Sequence, residues 1–232
     1  MVARDASMLE AKKNKLFERI FRAYNTNLLR RKFDSFRVSG LENLRGTESI
    51  PQIVVANHTG WWDGLAGFEL WVQSHRDNFV MMEEKQLSRF WPFTRLGAFS
   101  VVRENPRAAA KSIDYAARIL NERRNRSLWI FPQGELVPFG TRPMKLFPGF
   151  ARVIERVGEC EIVPVTFRYE FFKAHRPVIL GSIESPFKAS VSGRKQRDDL
   201  VEQVTRRLCE SEDRLKDIVL SGNIPEEFTE IL

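Results

Sequence analysis

Short apolar runs alternate with longer amphipathic segments along the 232 residues of the chain. The short runs are bounded by Pro, Gly or polar residues and predict buried strands. They lie at residues 53–56, 79–82, 99–102, 128–131, 162–167 and 178–180. Apolar residues at helical spacing predict helices at residues 61–74, 106–121, 149–157 and 195–220. Strands alternating with helices indicate an α/β fold, so we predict a single domain with a largely parallel or mixed sheet flanked by helices.

One of these predicted strands contains a proline. Pro164 lies within residues 162–167, and proline has no backbone N–H to donate to a neighbouring strand. We therefore expect this strand to lie at an edge of the sheet or to contain a bulge.

The segment at residues 12–37 combines an apolar periodicity with a strong positive charge. It holds nine basic and two acidic side chains, a difference equal to the whole formal net charge of +7. An apolar face opposite a basic face is typical of a helix lying in an anionic membrane interface. An ordinary packed helix with a basic solvent face is the alternative. The apolar positions at helical spacing are Leu16, Phe17, Ile20, Phe21, Tyr24 and Leu28, followed by Leu29, Phe33 and Phe36.

This segment suggests a division of the chain into two parts. We predict that residues 1–38 form a basic amphipathic helix on a membrane surface and that residues 39–232 form the globular domain. A nucleic-acid-binding protein would present basic residues among exposed aromatic ones on a recognisable module. We find no such module, so nucleic acid is not an expected partner.

The composition argues against several other classes of protein. Cys160 and Cys209 are too few for a disulfide framework or a cysteine-rich zinc site, which favours a reducing cytosol. Three scattered histidines offer no ligand set, so no metal is expected. No uninterrupted apolar run approaches the length of about 18 residues that a transmembrane helix needs. The N-terminus does not resemble a signal peptide.

The residues best suited to acid–base chemistry follow the strand at residues 53–56. His58 leaves the end of this strand, and Asp63 lies five positions further on. On a regular helix five residues rotate by about 500°, so the two side chains would point about 140° apart. They can meet only if His58 lies in a strand-to-helix turn, which Gly60 permits, and Asp63 lies in the first turns of the helix.

A His–Asp contact has a defined chemical use. A carboxylate on one imidazole nitrogen fixes the tautomer and leaves the other nitrogen as a general base. No Ser or Cys lies in an obvious nucleophile elbow, so His58 would activate a substrate hydroxyl. The alternative is a structural pair, in which Asp63 satisfies a buried histidine at a helix N-terminus. Trp61 and Trp62 are expected in the core, and lining a lipid entrance is their alternative role.

Other predicted strands also end in residues that can bind a ligand. One strand leads to Arg103, and another ends in a tight turn at residues 132–135 whose N–H groups can face an anion or an oxyanion. In α/β proteins, ligands bind at the carboxyl ends of the strands. We therefore expect these segments to face the same site as His58.

Together these segments resemble the four motif blocks of the glycerolipid acyltransferase superfamily, which includes the lysophosphatidate acyltransferases. The first block is matched by Asn57, His58 and Asp63, the second by residues 97–103 and the fourth by residues 162–165. The third block normally has the sequence Phe-Pro-Glu-Gly-Thr-Arg, whereas residues 131–136 are Phe-Pro-Gln-Gly-Glu-Leu. The blocks occur in the family's order.

The resemblance implies an O-acyltransferase domain at residues 39–232. His58 would deprotonate an acceptor hydroxyl, which attacks an acyl thioester of coenzyme A or acyl carrier protein, and Asp63 would orient His58. The thioester is a co-substrate, and no other cofactor is implied. The implied partners are a membrane surface, a lipid acceptor and the acyl donor, with the protein cytoplasmic and peripheral on the inner face of the membrane.

The altered third block affects which class of acceptor is expected. In the family, arginines of the second and third blocks help bind the acceptor phosphate; Arg103 is retained, but Leu136 offers neither charge nor hydrogen-bond donors. Arg142 is a candidate replacement. The acceptor is thus either a lysophospholipid or glycerol phosphate, or a non-phosphate lipid alcohol such as a carotenoid glycoside. The candidate substrate-binding residues are Asn57, Arg103, Gln133, Gly134, Glu135, Arg142 and Lys145.

Two other functions are compatible with the fold. A non-catalytic lipid-binding scaffold would keep the fold without the reaction, although it has no need of the His58–Asp63 pair. A thioesterase-like or transacylase activity would use the same base on water or on another lipid. Full function of a His58→Ala variant would favour the scaffold, and a comparison of acyl transfer with thioester hydrolysis would distinguish the second activity.

Overall fold

A computed structural model describes residues 8–46, 49–172 and 175–232. The helices in these ranges are α1 (Lys15–Lys32), α2 (Asp63–Gln73), α3 (Glu84–Arg89), α4 (Pro106–Glu122), α5 (Gly149–Val157) and α6 (Arg194–Ser221). The strands are β1 (Phe36–Ser39), β2 (Gln52–Ala56), β3 (Asp77–Glu83), β4 (Ala98–Val101), β5 (Arg126–Ile130), β6 (Glu159–Glu170), β7 (Val178–Ile183), β8 (Phe187–Ser190) and β9 (Thr229–Glu230). Short 3₁₀ helices span Leu41–Leu44 and Trp91–Leu96.

The strands form one mixed sheet. Over the described ranges its order is β4-β3-β5-β2-β6-β7-β1-β9, and β8 also pairs with β6. The first five strands in this order are parallel to their neighbours, whereas β7 is antiparallel to β6. The predicted α/β class with a mixed sheet in a single domain is confirmed. The carboxyl ends of the five parallel strands therefore meet at one edge, where the predicted motif residues lie.

The strand that contains Pro164 is not at an edge of the sheet, so the first of the two expectations for it, an edge position, is wrong. On one side β6 pairs with β2, and on the other it pairs with β8 as far as Ile162 and with β7 from Val165 onward. The carbonyl of Pro164 accepts a hydrogen bond from the Glu184 N–H at 2.9 Å. The N–H and C=O groups of a strand residue point to the same side of the strand. The position where Pro164 lacks an N–H therefore faces the gap between β8 and β7.

The N-terminal segment is a helix followed by a strand. The Asn14 side chain caps α1 by accepting a hydrogen bond from the Phe17 N–H, and the helix ends before Phe33. Residues Phe36–Ser39 then form β1, which pairs with β7 in the main sheet. The predicted division after residue 38 therefore falls inside a strand, and the membrane-surface prediction concerns α1 itself.

One side of α1 packs against the domain. Asn25 and Leu29 are fully buried, and Phe21 meets Phe68 of α2 edge-on with ring centroids 4.9 Å apart. The Asn25 amide donates a hydrogen bond to the Glu69 carboxyl at 2.6 Å. Burial raises the pKa of Glu69, against the hydrogen bonds that lower it. This side of α1 is an integral part of the fold.

The other side of α1 exposes an apolar stripe. Leu16, Ile20 and Tyr24 are 67%, 61% and 59% exposed, and their spacing of four residues aligns them along the helix. We call these three residues the exposed stripe. In the described part of the chain, no helix has the length and apolar character needed to cross a membrane.

Alternation along the strands builds a core on each face of the sheet. In β2, Ile53 and Val55 point into a cluster that includes residues of α4, α5 and α6. Their neighbours Val54 and Ala56 point into a second cluster that includes residues of α1 and α2. With both faces covered, β2 is buried throughout, and this burial fixes the position of the turn that follows it.

Candidate active site

His58 and Asp63 are in contact at the carboxyl end of β2. The His58 Nδ1 atom lies 2.9 Å from Asp63 Oδ2. The same oxygen accepts hydrogen bonds from the backbone N–H groups of Thr59 at 2.6 Å and Gly60 at 2.9 Å. Asp63 is the first residue of α2 and is fully buried. The strand-to-helix turn that the spacing requires is therefore present, with the two side chains at its two ends.

This contact determines which imidazole nitrogen is available. A carboxylate oxygen can only accept hydrogen bonds, so Nδ1 of a neutral His58 must be the protonated nitrogen facing Asp63. The Nε2 atom is then unprotonated and able to accept a proton. The His58 side chain is 27% exposed, which leaves the ring accessible from outside.

The second oxygen of Asp63 is bound by a tyrosine. The Tyr169 hydroxyl, on β6, donates a hydrogen bond to Asp63 Oδ1 at 2.6 Å. Burial raises the pKa of the Tyr169 phenol well above its usual range, and the negative charge and hydrogen bond of Asp63 act in the same direction. Tyr169 therefore remains a hydrogen-bond donor at neutral pH.

The altered third block wraps around the backbone of His58. The His58 N–H donates to Gln133 Oε1 at 2.6 Å, and the Val137 N–H donates to the His58 carbonyl at 2.8 Å. The ring of Phe131 lies against the imidazole, with centroids 4.9 Å apart. Gln133 is only 7% exposed. In this structure the Gln133 amide thus holds the position of His58, a contact that the glutamate usual at this position could also make.

Arg103 lies against the same turn. A Cβ atom built on Gly134 would lie 2.2 Å from Arg103 Nη1, so the guanidinium packs directly on the Gly134 backbone, which has φ +72°. The guanidinium also lies over the ring of Phe147, 5.2 Å from its centroid. An Arg103 nitrogen is 3.7 Å from a carboxylate oxygen of Glu83, at the end of β3. The second and third blocks therefore form one surface, in which the arginine already has an acidic neighbour.

Asn57 and Arg142 are joined through a buried glutamate on α6. The Asn57 amide bonds the backbone of Phe167 through both its oxygen and its nitrogen, and the nitrogen lies 3.2 Å from Glu212. Arg142 donates to the other oxygen of Glu212 at 2.6 Å and to Asp213 at 3.1 Å. Asn57 is fully buried and Glu212 is 2% exposed. This network links the carboxyl end of β2 to α6, and within it Arg142 is paired with two carboxylates.

The other predicted binding residues lie at the surface. Glu135 and Lys145 are exposed, and Leu136 is 54% exposed where the family has arginine. The structure thus brings His58, Asp63 and Gln133 into direct contact and places Arg103 on Gly134. The roles assigned to all these residues stay predictions.

Three residues of this region were not predicted from the sequence. Tyr169 lies 106 residues from Asp63, and Glu212 lies 155 residues from Asn57. No local spacing signals such contacts, because the register of β6 and the packing of α6 determine them. Glu83 does have a signal in the sequence, because it follows the end of a predicted strand, as Arg103 does.

Trp61 lies at the surface. It was expected in the core, but it is 58% exposed and its ring lies 5.7 Å from that of Phe90. Its partner Trp62 packs edge-on against Phe33, at 5.0 Å between centroids. The turn after His58 therefore presents one tryptophan outward. Among the described residues, no group of three or more His, Cys, Asp or Glu side chains could hold a metal ion.

The fold and the site together define a class of protein: an α/β domain with a histidine–carboxylate pair at the strand ends and an arginine on the adjoining turn at Gly134. The family model described as Acyltransferase matches residues 35–168, more than half of the chain, so the chain belongs to this family. This confirms the resemblance inferred from the four motif blocks.

Two known proteins illustrate the relationship. The 1-acyl-sn-glycerol-3-phosphate acyltransferase of Streptococcus pneumoniae is 31% identical over 139 residues, which are 56% of this chain and 48% of that protein. The chain therefore spans about half the length of this relative. The crystal structure of the 1-acyl-sn-glycerophosphate acyltransferase PlsC from Thermotoga maritima also matches. The match covers 85% of this chain and 78% of the PlsC chain. The TM-score is 0.51 at 19% identity, a likeness of fold.

Proposed function

We propose that the protein transfers a fatty acyl group from an acyl thioester to the hydroxyl of a lipid. The observation that carries the proposal is the His58–Asp63 contact of 2.9 Å in a turn at the carboxyl end of a buried strand. Membership of the acyltransferase family supports it. A lipid-binding scaffold would have no use for a partly exposed imidazole oriented by a fully buried carboxylate.

The proposed reaction uses His58 as both base and acid. Nε2 of His58 takes the proton of the acceptor hydroxyl as its oxygen attacks the thioester carbonyl carbon. The resulting tetrahedral intermediate collapses, breaks the carbon–sulfur bond and releases the thiolate. His58 returns the proton to the sulfur, so that an ester and a free thiol are formed. Asp63 stabilises the imidazolium during this cycle.

The donor in this proposal is acyl-CoA or acyl carrier protein, and no other cofactor takes part. Basic side chains of α1 are exposed in the structure, and a basic surface attracts an acidic carrier protein as well as an anionic membrane. The chemistry at His58 is the same for both donors, because each presents a thioester.

Two acceptor classes are proposed, and different observations support each. The name of the Streptococcus pneumoniae relative and the retained Arg103 favour a lysophosphatidate. The exposed Leu136 and the Glu83 carboxylate, 3.7 Å from Arg103, favour a lipid alcohol without a phosphate, such as a carotenoid glycoside. A phosphate bound at Arg103 would meet the like charge of Glu83, which costs affinity.

The acceptor class can be measured with the enzyme and a charge variant. Purified protein is incubated with labelled long-chain acyl-CoA and either lysophosphatidate or a neutral glycolipid, and the products are identified by mass spectrometry. We expect Glu83→Gln to raise kcat/KM for lysophosphatidate relative to the neutral acceptor at least about fivefold, because a negative charge near the phosphate is removed. Glu230→Gln is the matched control, because Glu230 lies on β9, at the opposite end of the sheet, with a carboxylate oxygen 3.6 Å from an Arg37 nitrogen. Equal ratios for wild type and Glu83→Gln would contradict a role of Glu83 in acceptor choice.

We also propose that the exposed stripe attaches the protein to a membrane surface. A continuous series of ring contacts leads from this stripe to the turn after His58. Exposed apolar side chains among basic ones match an anionic lipid interface in both polarity and charge. The rings of the series are Tyr24, Phe21, Phe93, Phe90 and Trp61.

Replacing the exposed stripe tests this attachment. We expect the triple variant Leu16→Gln, Ile20→Gln, Tyr24→Gln to lose at least about tenfold in affinity for vesicles containing anionic lipid, because three apolar side chains no longer enter the interface. Vesicle co-sedimentation measures the affinity, and rising salt should weaken the binding of both proteins. Leu220→Gln, at a residue of α6 that is 74% exposed, is the control. Unchanged binding of the triple variant would rule out the stripe as the attachment site.

A further inference from the structure

The two carboxylate oxygens of Asp63 have different partners. Oδ2 is contacted by the His58 imidazole and by the N–H groups of Thr59 and Gly60. Oδ1 accepts a hydrogen bond from the Tyr169 hydroxyl at 2.6 Å. The carboxylate is thus held from both sides, and the Tyr169 bond opposes its rotation about the bond to Cβ.

We infer that Tyr169 is a positioning residue for the proposed reaction: its hydroxyl fixes the Asp63 carboxylate so that Oδ2 faces His58 Nδ1. The inference rests on the proposed function. In a fully buried carboxylate, an oxygen that loses its donor is poorly solvated. The carboxylate would then turn toward other donors, and the imidazole that depends on it would lose its fixed orientation.

Tyr169 is itself held in place. It lies on β6 opposite Ile179 of the neighbouring strand, and its ring is 5.8 Å from that of Phe33, at the end of α1. A Cβ atom on Gly60 would lie 3.4 Å from the Tyr169 ring, so the turn packs closely on the tyrosine. The phenol stays protonated at neutral pH because burial and the Asp63 charge raise its pKa. It is therefore a fixed donor that does not itself exchange protons with the substrate.

The first test is the kinetics of Tyr169→Phe, which removes only the hydroxyl. We expect kcat to fall about tenfold with little change in KM, since a charge-assisted hydrogen bond is lost behind the base. Tyr115→Phe is the matched control. Its hydroxyl also makes one hydrogen bond, which it accepts from the Ala11 N–H at 3.0 Å, but Tyr115 lies in the core cluster on the opposite face of the sheet.

The second test measures the tautomer of the His58 imidazole by ¹⁵N NMR and does not depend on turnover. The chain has only three histidines, so ¹⁵N spectra of the imidazoles can be assigned by substitution. In wild type we expect His58 to be in one tautomer, protonated at Nδ1. In Tyr169→Phe we expect averaging between tautomers or broadening of this signal, whereas Tyr115→Phe leaves the signal unchanged. Incorporation of 3-fluorotyrosine at position 169, which keeps the hydroxyl, should retain kcat within about twofold of wild type.

A double variant separates positioning from a general loss of structure. If Tyr169 acts through Asp63, Tyr169→Phe adds no further loss to Asp63→Asn. Wild-type kcat and an unchanged His58 spectrum in Tyr169→Phe would overturn the inference while leaving the proposed function intact. Full activity of His58→Ala would instead overturn the proposed function itself.

Discussion

His58→Ala is expected to lower kcat for acyl transfer by at least about 100-fold, because the general base that takes the acceptor proton is removed. The side chain is partly exposed, and its ring contacts only Phe131 among the described aromatic residues, so the variant should fold normally. Initial rates of ester formation from labelled acyl thioester measure the effect. Circular dichroism and thermal unfolding check the fold.

The control for this substitution is His175→Ala, at an exposed histidine outside the site. It should retain the wild-type rate. Retention of full activity by His58→Ala would exclude the base mechanism, and loss of the activity in both variants would point to an effect on folding.

Asp63→Asn is expected to lower kcat by at least about 100-fold with a small change in KM. An asparagine amide accepts hydrogen bonds only at its oxygen, so its NH₂ group must take one of the two oxygen positions. It then faces either the Tyr169 hydroxyl, at the Oδ1 position, or His58 Nδ1 and the N–H groups of Thr59 and Gly60, at the Oδ2 position. An amide N–H directed at Nδ1 would also favour the wrong tautomer. The buried mismatch costs stability, about 1–3 kcal/mol, which chemical unfolding can measure.

Asp114→Asn is the matched control, since Asp114 is 62% exposed and paired only with Arg156 in the described structure. It should change neither the rate nor, beyond about 0.5 kcal/mol, the stability. An Asp63→Asn protein that is stable and fully active would show that His58 needs no carboxylate, and the proposed orientation would then be wrong.

The fold was predictable because local patterns determine most of it. Each apolar run that predicts a strand overlaps an observed strand, and the helix at residues 149–157 has the same bounds as α5. The short strands β1, β8 and β9 have no such pattern. Their pairing partners stabilise them, and the sequence alone does not reveal those partners.

The contact between His58 and Asp63 was also predictable, because the two residues are close in sequence. A regular helix would point their side chains apart, so they can meet only across a strand-to-helix turn. The long-range contacts of this region were not predictable. Tyr169 reaches Asp63, Gln133 reaches the backbone of His58, and Glu212 reaches the neighbouring Asn57. Strand register and helix packing determine these contacts, so each joins distant parts of the sequence.

The periodicity of α1 shows a further limit of prediction from sequence. It correctly predicts a helix with apolar residues on one broad side, but it does not distinguish Phe21, which packs against α2, from Ile20, which is exposed. Burial depends on where the rest of the domain lies against the helix. The same reason explains why Trp61 is exposed although tryptophan is usually buried.

The most direct test of the central claim is to measure thiol release and ester formation in the same reaction. Wild-type protein is incubated with long-chain acyl-CoA and the acceptor lipids, and free coenzyme A, new ester and free fatty acid are quantified together. We predict one ester formed per thiol released, with both rates falling at least about 100-fold in His58→Ala. Thiol release matched by free fatty acid would mean hydrolysis, and no thiol release from either acyl-CoA or acyl carrier protein would mean a scaffold; either result would contradict acyl transfer.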